Sequence, residues 1–214
     1  MRIGLGVPTT SNRQPTIQDS SILTTFLPAF LDSIADDERE RFHFTVYIGY
    51  DYGDKFWDDS NMLEQSAVEV LVAPHAKYVT VKYIRLPFSY GWVTFIWNKL
   101  YALAMQDGSD YYYQVNDDLN LESAGWATKF TQTLRSNDDF GVVGPFDPKW
   151  NCTVLTQAMV SRKHWSIFGV FYPIEVTRTQ PYLLMFRSRI GTLTFGSQNC
   201  TDRRTRFVQR TSSL

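Results

Sequence analysis

The residues with the clearest chemical potential sit in Tyr111-Tyr-Tyr-Gln-Val-Asn-Asp-Asp-Leu-Asn120. If a strand pleat continues through this stretch, residues 112, 114, 116 and 118 share one face. Asn116 and Asp118 then point together and Asp117 points away. An amide oxygen beside a carboxylate suits a hard divalent cation, whose shell phosphate oxygens and water would complete. The plainer reading is an Asp/Asn-rich turn. Its place directly after a buried-looking strand favours the metal. Two other polar groups follow strands. Pro8-Thr9-Thr10 could meet a nucleotide through backbone or hydroxyl groups, or simply connect a strand to a helix. Asp51 could accept hydrogen bonds from a base or ribose, or be a turn residue before Gly53.

Other chemistries find little support. His43, His75 and His164 are scattered, and with no His/Cys cluster a zinc site is not expected. There is no Gly-x-Ser-x-Gly elbow and no Walker loop. Gly4 and Gly6 lack the third glycine of a dinucleotide fingerprint. Tyr90, Trp92 and Trp97 read as core aromatics. Trp150, beside Asp147 and Lys149, is the better candidate for stacking on a sugar ring. Cys152 and Cys200 are too few for a disulfide framework. Each lies in an Asn-Cys-Thr triplet, a sequon that arises easily by chance.

The elements that must position these residues follow from periodicity. Arg2–Pro8 reads as a buried strand ending at a loop. Between Ser20 and Ala35 the apolar residues fall at 22, 23, 26, 27, 30, 31 and 34, an amphipathic helix that Pro28 should kink or divide. Asp36–Arg41 is a charged run, read as a solvated helix end or loop. Phe42–Tyr50 and Tyr78–Leu86 are strands rich in aromatic and β-branched residues. Met62–Val70 is a short helix and Trp92–Met105 a longer one. Asp110–Val115 is a fourth strand. Ser123 is a candidate cap for a helix running to about Leu134. Gly141–Pro145 and Thr156–Val160 are short strand candidates. Strands alternating with helices predict an α/β domain with a mostly parallel sheet flanked by helices. In such a sheet ligands bind outside the carboxyl ends of the strands, where all three polar clusters would converge.

Composition sets the wider limits. A chain of 214 residues with 43% hydrophobic and 15% aromatic content can bury a core of ordinary size. A net charge of -1 gives no support to nucleic-acid binding or polybasic membrane attachment. No segment is long and apolar enough to span a membrane, and no charged-then-apolar leader precedes the first strand. The compartment is left open. Charge is uneven along the chain. Residues 174–214 hold seven Arg, one Glu and one Asp, a net +5, against −6 for the first 173. The expected organisation is therefore a nucleotide-sugar-binding domain over 1–173 and a divergent basic tail over 174–214. The tail is expected to be loosely docked or poorly ordered, as would follow from a shifted reading frame or aberrant splicing.

Taken together, Ile3-Gly-Leu-Gly-Val-Pro-Thr9, Val46-Tyr-Ile-Gly-Tyr-Asp51 and Tyr113-Gln-Val-Asn-Asp-Asp118 make the chain resemble glycosyltransferases of the Rossmann-like GT-A fold. Val142–Asp147 and Ile167–Pro173 resemble later, acceptor-side segments. The start at Met1 is similar to domains of algal-virus multidomain glycosyltransferases. The resemblance spans roughly residues 2 to 173. It implies Mn²⁺ or Mg²⁺ on Asp118, with Asn116 where the family's DxD motif has its first Asp, often a ribose or metal contact, and it adds Asn116 and Asp117 to the nucleotide-binding candidates. It implies Asp51 against the uracil or ribose of a UDP-sugar donor. The acceptor, a glycan, protein or small molecule, is not implied. An inverting transferase also needs a base, for which Asp147 and Glu175 are the weak candidates. Two other readings compete, a nucleotidyltransferase and an inactive or incomplete nucleotide-binding domain. The first would favour a Gly- and Lys/Arg-rich loop after the first strand, where only Arg13 stands.

Overall fold

A computed structural model of the chain describes residues 1–12, 14–87, 92–145 and 155–173. Five strands form one sheet in the order β3-β2-β1-β4-β5. They are β1 (Arg2–Pro8), β2 (His43–Asp51), β3 (Val79–Leu86), β4 (Tyr111–Gln114) and β5 (Ala158–Ser161). The first four run parallel, and β5 pairs antiparallel with β4. The helices are α1 (Leu27–Asp32), α2 (Asp36–Arg41), α3 (Leu63–Val72), α4 (Val93–Gln106), α5 (Trp126–Arg135) and α6 (Arg162–Phe168). The α/β class with a mostly parallel sheet is therefore the observed one. Among the described residues no helix is long and apolar enough to cross a membrane.

Each face of the sheet carries its own core, because strand side chains alternate. On one face Ile3, Leu5, Val7, Phe44, Val46, Ile48 and Tyr113 meet α1, α3 and α5. Trp126 is its centre, with ring centroids 5.9 Å from Phe44 and 5.2 Å from Tyr113. On the other face Tyr47, Tyr112, Ala158 and Val160 meet Ile96, Leu100 and Ala104 of α4, with Phe171 beside them. Glycine lets these layers approach. A side chain at Gly4 would stand 2.8 Å from Ala104 Cβ, and one at Gly6 would overlap the Tyr112 ring. The paired glycines of β1 serve close packing, not phosphate binding.

Several sequence expectations change in detail. The helix expected over Ser20–Ala35 runs unbroken from 21 to 32 and is not divided at Pro28. A π-helical stretch, Ile22–Phe26, precedes α1, and Pro28 falls in the first turn of α1, where its missing N–H costs least. The charged run becomes α2, and one of its residues is not solvated. Glu38 is fully buried. Its carboxylate accepts from Ala35 N at 3.2 Å and from Thr128 N at 2.6 Å, tying α2 to α5. The helix expected from Ser123 begins at Trp126 instead, preceded by Gly125 with φ 78°. Gly141–Pro145 makes a single bridge, Val143 with Met159, rather than a strand. The basic tail 174–214 lies outside the described residues.

Candidate functional site

The chain leaves β1 for β2 on one side of the sheet and later places β4 on the other side. Such a reversal opens a crevice at the carboxyl ends of the strands. The ends of β1, β2 and β4 share that edge because the three strands are parallel. Pro8 closes β1 opposite Gly49, and Thr9 N donates to Gly49 O at 2.9 Å. Thr9 is 6% exposed and its Oγ1 donates to Asp117 Oδ2 at 2.8 Å. Two of the polar clusters singled out in the sequence thus touch across the crevice. Thr10 is exposed and donates to Asp54 Oδ2 at 3.4 Å. Asp51 is the last residue of β2, half-buried, on the same edge.

The pleat assumed through Asn116–Asp118 does not persist. Strand β4 ends at Gln114, and Leu119 N donates to Asn116 O at 3.3 Å, which turns the chain. Alternation therefore gives Asn116 and Asp118 no common face. Asp117, expected to point away, is the residue that reaches back to β1. Its carboxyl is pushed up to about 6, first by burial, with the charges of Asp118 and Glu64 adding to the shift and the Thr9 hydrogen bond opposing it. Burial also raises Asp118, against a hydrogen bond from its own backbone N–H. Among the described residues neither carboxylate forms an ion pair. No group of three or more His, Cys, Asp or Glu is gathered as a metal site among them either. Asn116 and Asp118 can offer a cation two oxygen ligands, and a substrate would have to supply others.

Asp54 organises the loops behind this edge and was overlooked in the sequence. Its Oδ2 accepts from Ser11 N at 2.8 Å, and its Oδ1 from Phe56 N at 3.1 Å and Trp57 N at 3.0 Å. An Asp followed by donors two and three residues on is a local capping pattern, so the signal was present. On the α4 side, Gln114 Oε1 accepts from the Tyr172 hydroxyl at 3.1 Å. Asn98 accepts from Phe171 N at 3.0 Å and Tyr172 N at 2.7 Å, and donates to Tyr172 O at 3.0 Å. Trp92, read as core, is 51% exposed.

The histidines stay away from the crevice. His164 packs among Tyr101, Phe168 and Phe171, and burial lowers its pKa. His43 bonds Thr80 at 3.0 Å, and His75 bonds Tyr78 at 2.5 Å. A groove of about 340 Å³ lies at the opposite end of β4, beside Asp110, Arg135 and Arg162. Arg162 there spends its guanidinium on the carbonyls of Ser109 and Met105, at 2.9 and 2.6 Å, and the groove belongs to the sheet's amino end. Asp147, Trp150, both cysteines and Glu175 lie outside the described residues.

The sequence matches no protein-family model and no curated protein sequence. Solved structures of similar shape exist at low identity. A cytidylyltransferase from Leptospira borgpetersenii serovar Hardjo-bovis is 11% identical with a TM-score of 0.49, aligned over 84% of this chain and 65% of its own. A protein from Desulfovibrio desulfuricans G20, assigned as a nucleotide-diphospho-sugar transferase, is 12% identical with a TM-score of 0.47, over 86% and 70%. Mycobacterium tuberculosis glucosyl-3-phosphoglycerate synthase, solved with Mn²⁺, UDP and phosphoglyceric acid, is 12% identical with a TM-score of 0.40, over 76% and 56%. The chain spans just under two thirds of the first of these.

Proposed function

We propose that the chain is a glycosyltransferase that binds a nucleoside-diphosphate sugar, of the UDP class, at the crevice between β1 and β4. The observation that supports this most is the Thr9–Asp117 contact at the topological switch point. It joins the loop suited to a nucleotide to the turn suited to a cation. In this reading Pro8, Thr9 and Thr10 line the nucleotide. Asp51 accepts a hydrogen bond from the base or ribose, and Asp117 orients the β1 loop through Thr9.

In the same reading Asn116 and Asp118 would each offer an oxygen to Mn²⁺ or Mg²⁺, with the donor's phosphates supplying further ligands. A bound divalent cation would offset the negative charge that develops on the departing pyrophosphate. The protein's own part is to exclude water around Asp117 and hold the donor against the β1 loop. Asp147 and Glu175 are the proposed candidates for the base that takes the acceptor's proton.

Donor hydrolysis with several UDP-sugars and Mn²⁺, run beside a UDP-binding measurement, tests the proposal. Release of UDP and free sugar is the expected result. UDP binding without turnover would leave a nucleotide-binding domain. Pyrophosphate release from a nucleoside triphosphate and a sugar phosphate would point to nucleotidyl transfer instead.

A further inference from the structure

Beyond Asp51 the chain turns at the end of β2, with Asp54 N donating to Asp51 O at 3.1 Å. Gly53 supplies the positive φ, 77°, that such a turn needs at its third residue. Tyr52 stands at the corner of the turn, 66% exposed. A single exposed aromatic is ordinary, but this one is fixed in place. Its N–H donates to Leu86 O at 2.8 Å, at the end of β3. The Arg85 guanidinium lies over its ring, with Cζ 4.2 Å from the centroid. Asp58 grips that guanidinium as a fork, at 2.7 Å to Nε and 2.8 Å to Nη2. Asp58 Oδ2 also accepts from Gly53 N at 2.7 Å, so carboxylate, guanidinium, ring and turn each position the next. A Cβ on Gly53 would meet nothing within 4 Å, which leaves room beside the ring.

An ion pair as exposed as Arg85–Asp58 adds little stability, so its effect here is geometric. A guanidinium that covers one face of a ring leaves the opposite face as a fixed, flat platform. Such a platform suits a flat ligand, and base–aromatic stacking works with any base. Two observations favour a nucleobase as the occupant. Asp54 of the same turn accepts from Ser11 N at 2.8 Å and from Thr10 Oγ1 at 3.4 Å, which ties the turn to the loop after β1. The ends of β2 and β4 are separated only by β1, two strand spacings or about 10 Å. A nucleoside diphosphate can cross that span with its base at β2 and its pyrophosphate near Asn116 and Asp118.

We propose that Tyr52 is the stacking platform for the base of the nucleotide, and that Arg85, gripped by Asp58, is a positioning residue that sets the plane of the ring. The proposal rests on the nucleotide reading of the crevice and holds for sugar transfer and nucleotidyl transfer alike.

The test is UDP binding by the full chain in Mg²⁺, read by calorimetry and by saturation-transfer NMR from the protein to uracil H5 and H6. Tyr52→Ala should weaken UDP by about tenfold or more and reduce the transfer to H5 and H6 relative to the ribose protons. Its melting temperature should stay near the parent's, because the ring is exposed. Tyr52→Phe keeps the stacking face and should bind within about twofold of the parent. Arg85→Ala should weaken UDP by a smaller factor than Tyr52→Ala, and Arg85→Lys, which keeps the cation but not the fork, should fall between Arg85→Ala and the parent. UDP bound equally by the parent and Tyr52→Ala overturns the platform and leaves the nucleotide reading standing. Tyr52→Phe as weak as Tyr52→Ala, or an unchanged uracil signal in Tyr52→Ala, also overturns stacking. Arg85→Ala binding like the parent overturns the positioning role. A parent that binds no UDP overturns the nucleotide reading and the platform with it.

Discussion

Two sets of carboxylates in this protein live under opposite rules. Asp107, in the loop that leads into β4, meets Lys82 Nζ at 2.6 Å and the Tyr47 hydroxyl at 2.8 Å. The Lys82 contact holds its pKa down most, burial opposes it, and the Tyr47 hydroxyl lowers it further. Asp58 is gripped by Arg85 at 2.7 Å and is lowered in the same way. Asp117, Asp118 and Glu64 form no ion pair among the described residues, and burial raises all three. The first set is electrostatically complete. The second has burial without a countercharge, Asp117 and Asp118 just beyond the end of β4 and Glu64 in the first turn of α3. Position in the fold, more than residue type, decides which rule applies.

The comparison breaks most readily at Asp118. Asp118→Ala should abolish the gain in UDP affinity that Mn²⁺ or Mg²⁺ confers, a loss of about 100-fold if the ion supplies several kcal/mol at the pyrophosphate. Equal UDP affinity in EDTA and in Mn²⁺ for the unaltered chain would remove the premise. Asp51→Ala should weaken nucleotide binding by about 1–3 kcal/mol, with little change in melting temperature. An unchanged Kd would detach Asp51 from the site.

The next two predictions concern stability against pH, and their signs differ. Asp117 holds its proton more tightly folded than unfolded. Its contribution is intact below about pH 4 and is lost as pH rises through about 6. Asp117→Asn should therefore stabilise the ligand-free protein at pH 7 by about 1–2 kcal/mol and flatten its melting temperature between about pH 4 and pH 7. A variant that melts lower at pH 7 would show the carboxylate to be better solvated than its surroundings imply. Asp107 behaves in reverse. Its folded pKa is lowered, so its contribution is present above the unfolded value and fades as pH falls through the folded one. Asp107→Asn should cost less than about 1 kcal/mol at pH 7, because both it and Lys82 are well exposed and solvent screens the pair. Chemical denaturation in low and high salt measures that difference, which salt should shrink further.

Much of the fold was legible because period alone carries it. The buried alternation of Arg2–Pro8 and the helical recurrence of Trp92–Met105 each lie within a residue or so of β1 and α4. What period cannot carry was lost. Ser123 has the chemistry of a cap, yet Gly125 takes the turn because the backbone there needs a positive φ. Gly141–Pro145 has strand composition but meets β5 at one residue, so there is no ladder to extend it. At the site, the convergence of Thr9, Asp51 and Asp117 on one edge followed from parallel topology. Which acid of Asn116–Asp118 faces β1 did not, because the strand stops at Gln114 and a turn resets the side-chain directions. Glu38 lies in a run that reads as solvated charge, and only tertiary packing buries it.

Asn98 has a mechanical consequence. Its single side chain makes three hydrogen bonds to the backbone of Phe171 and Tyr172. Tension applied beyond residue 173 reaches this anchor before it can peel β5 from β4, and the load passes into the long helix α4 beneath the sheet.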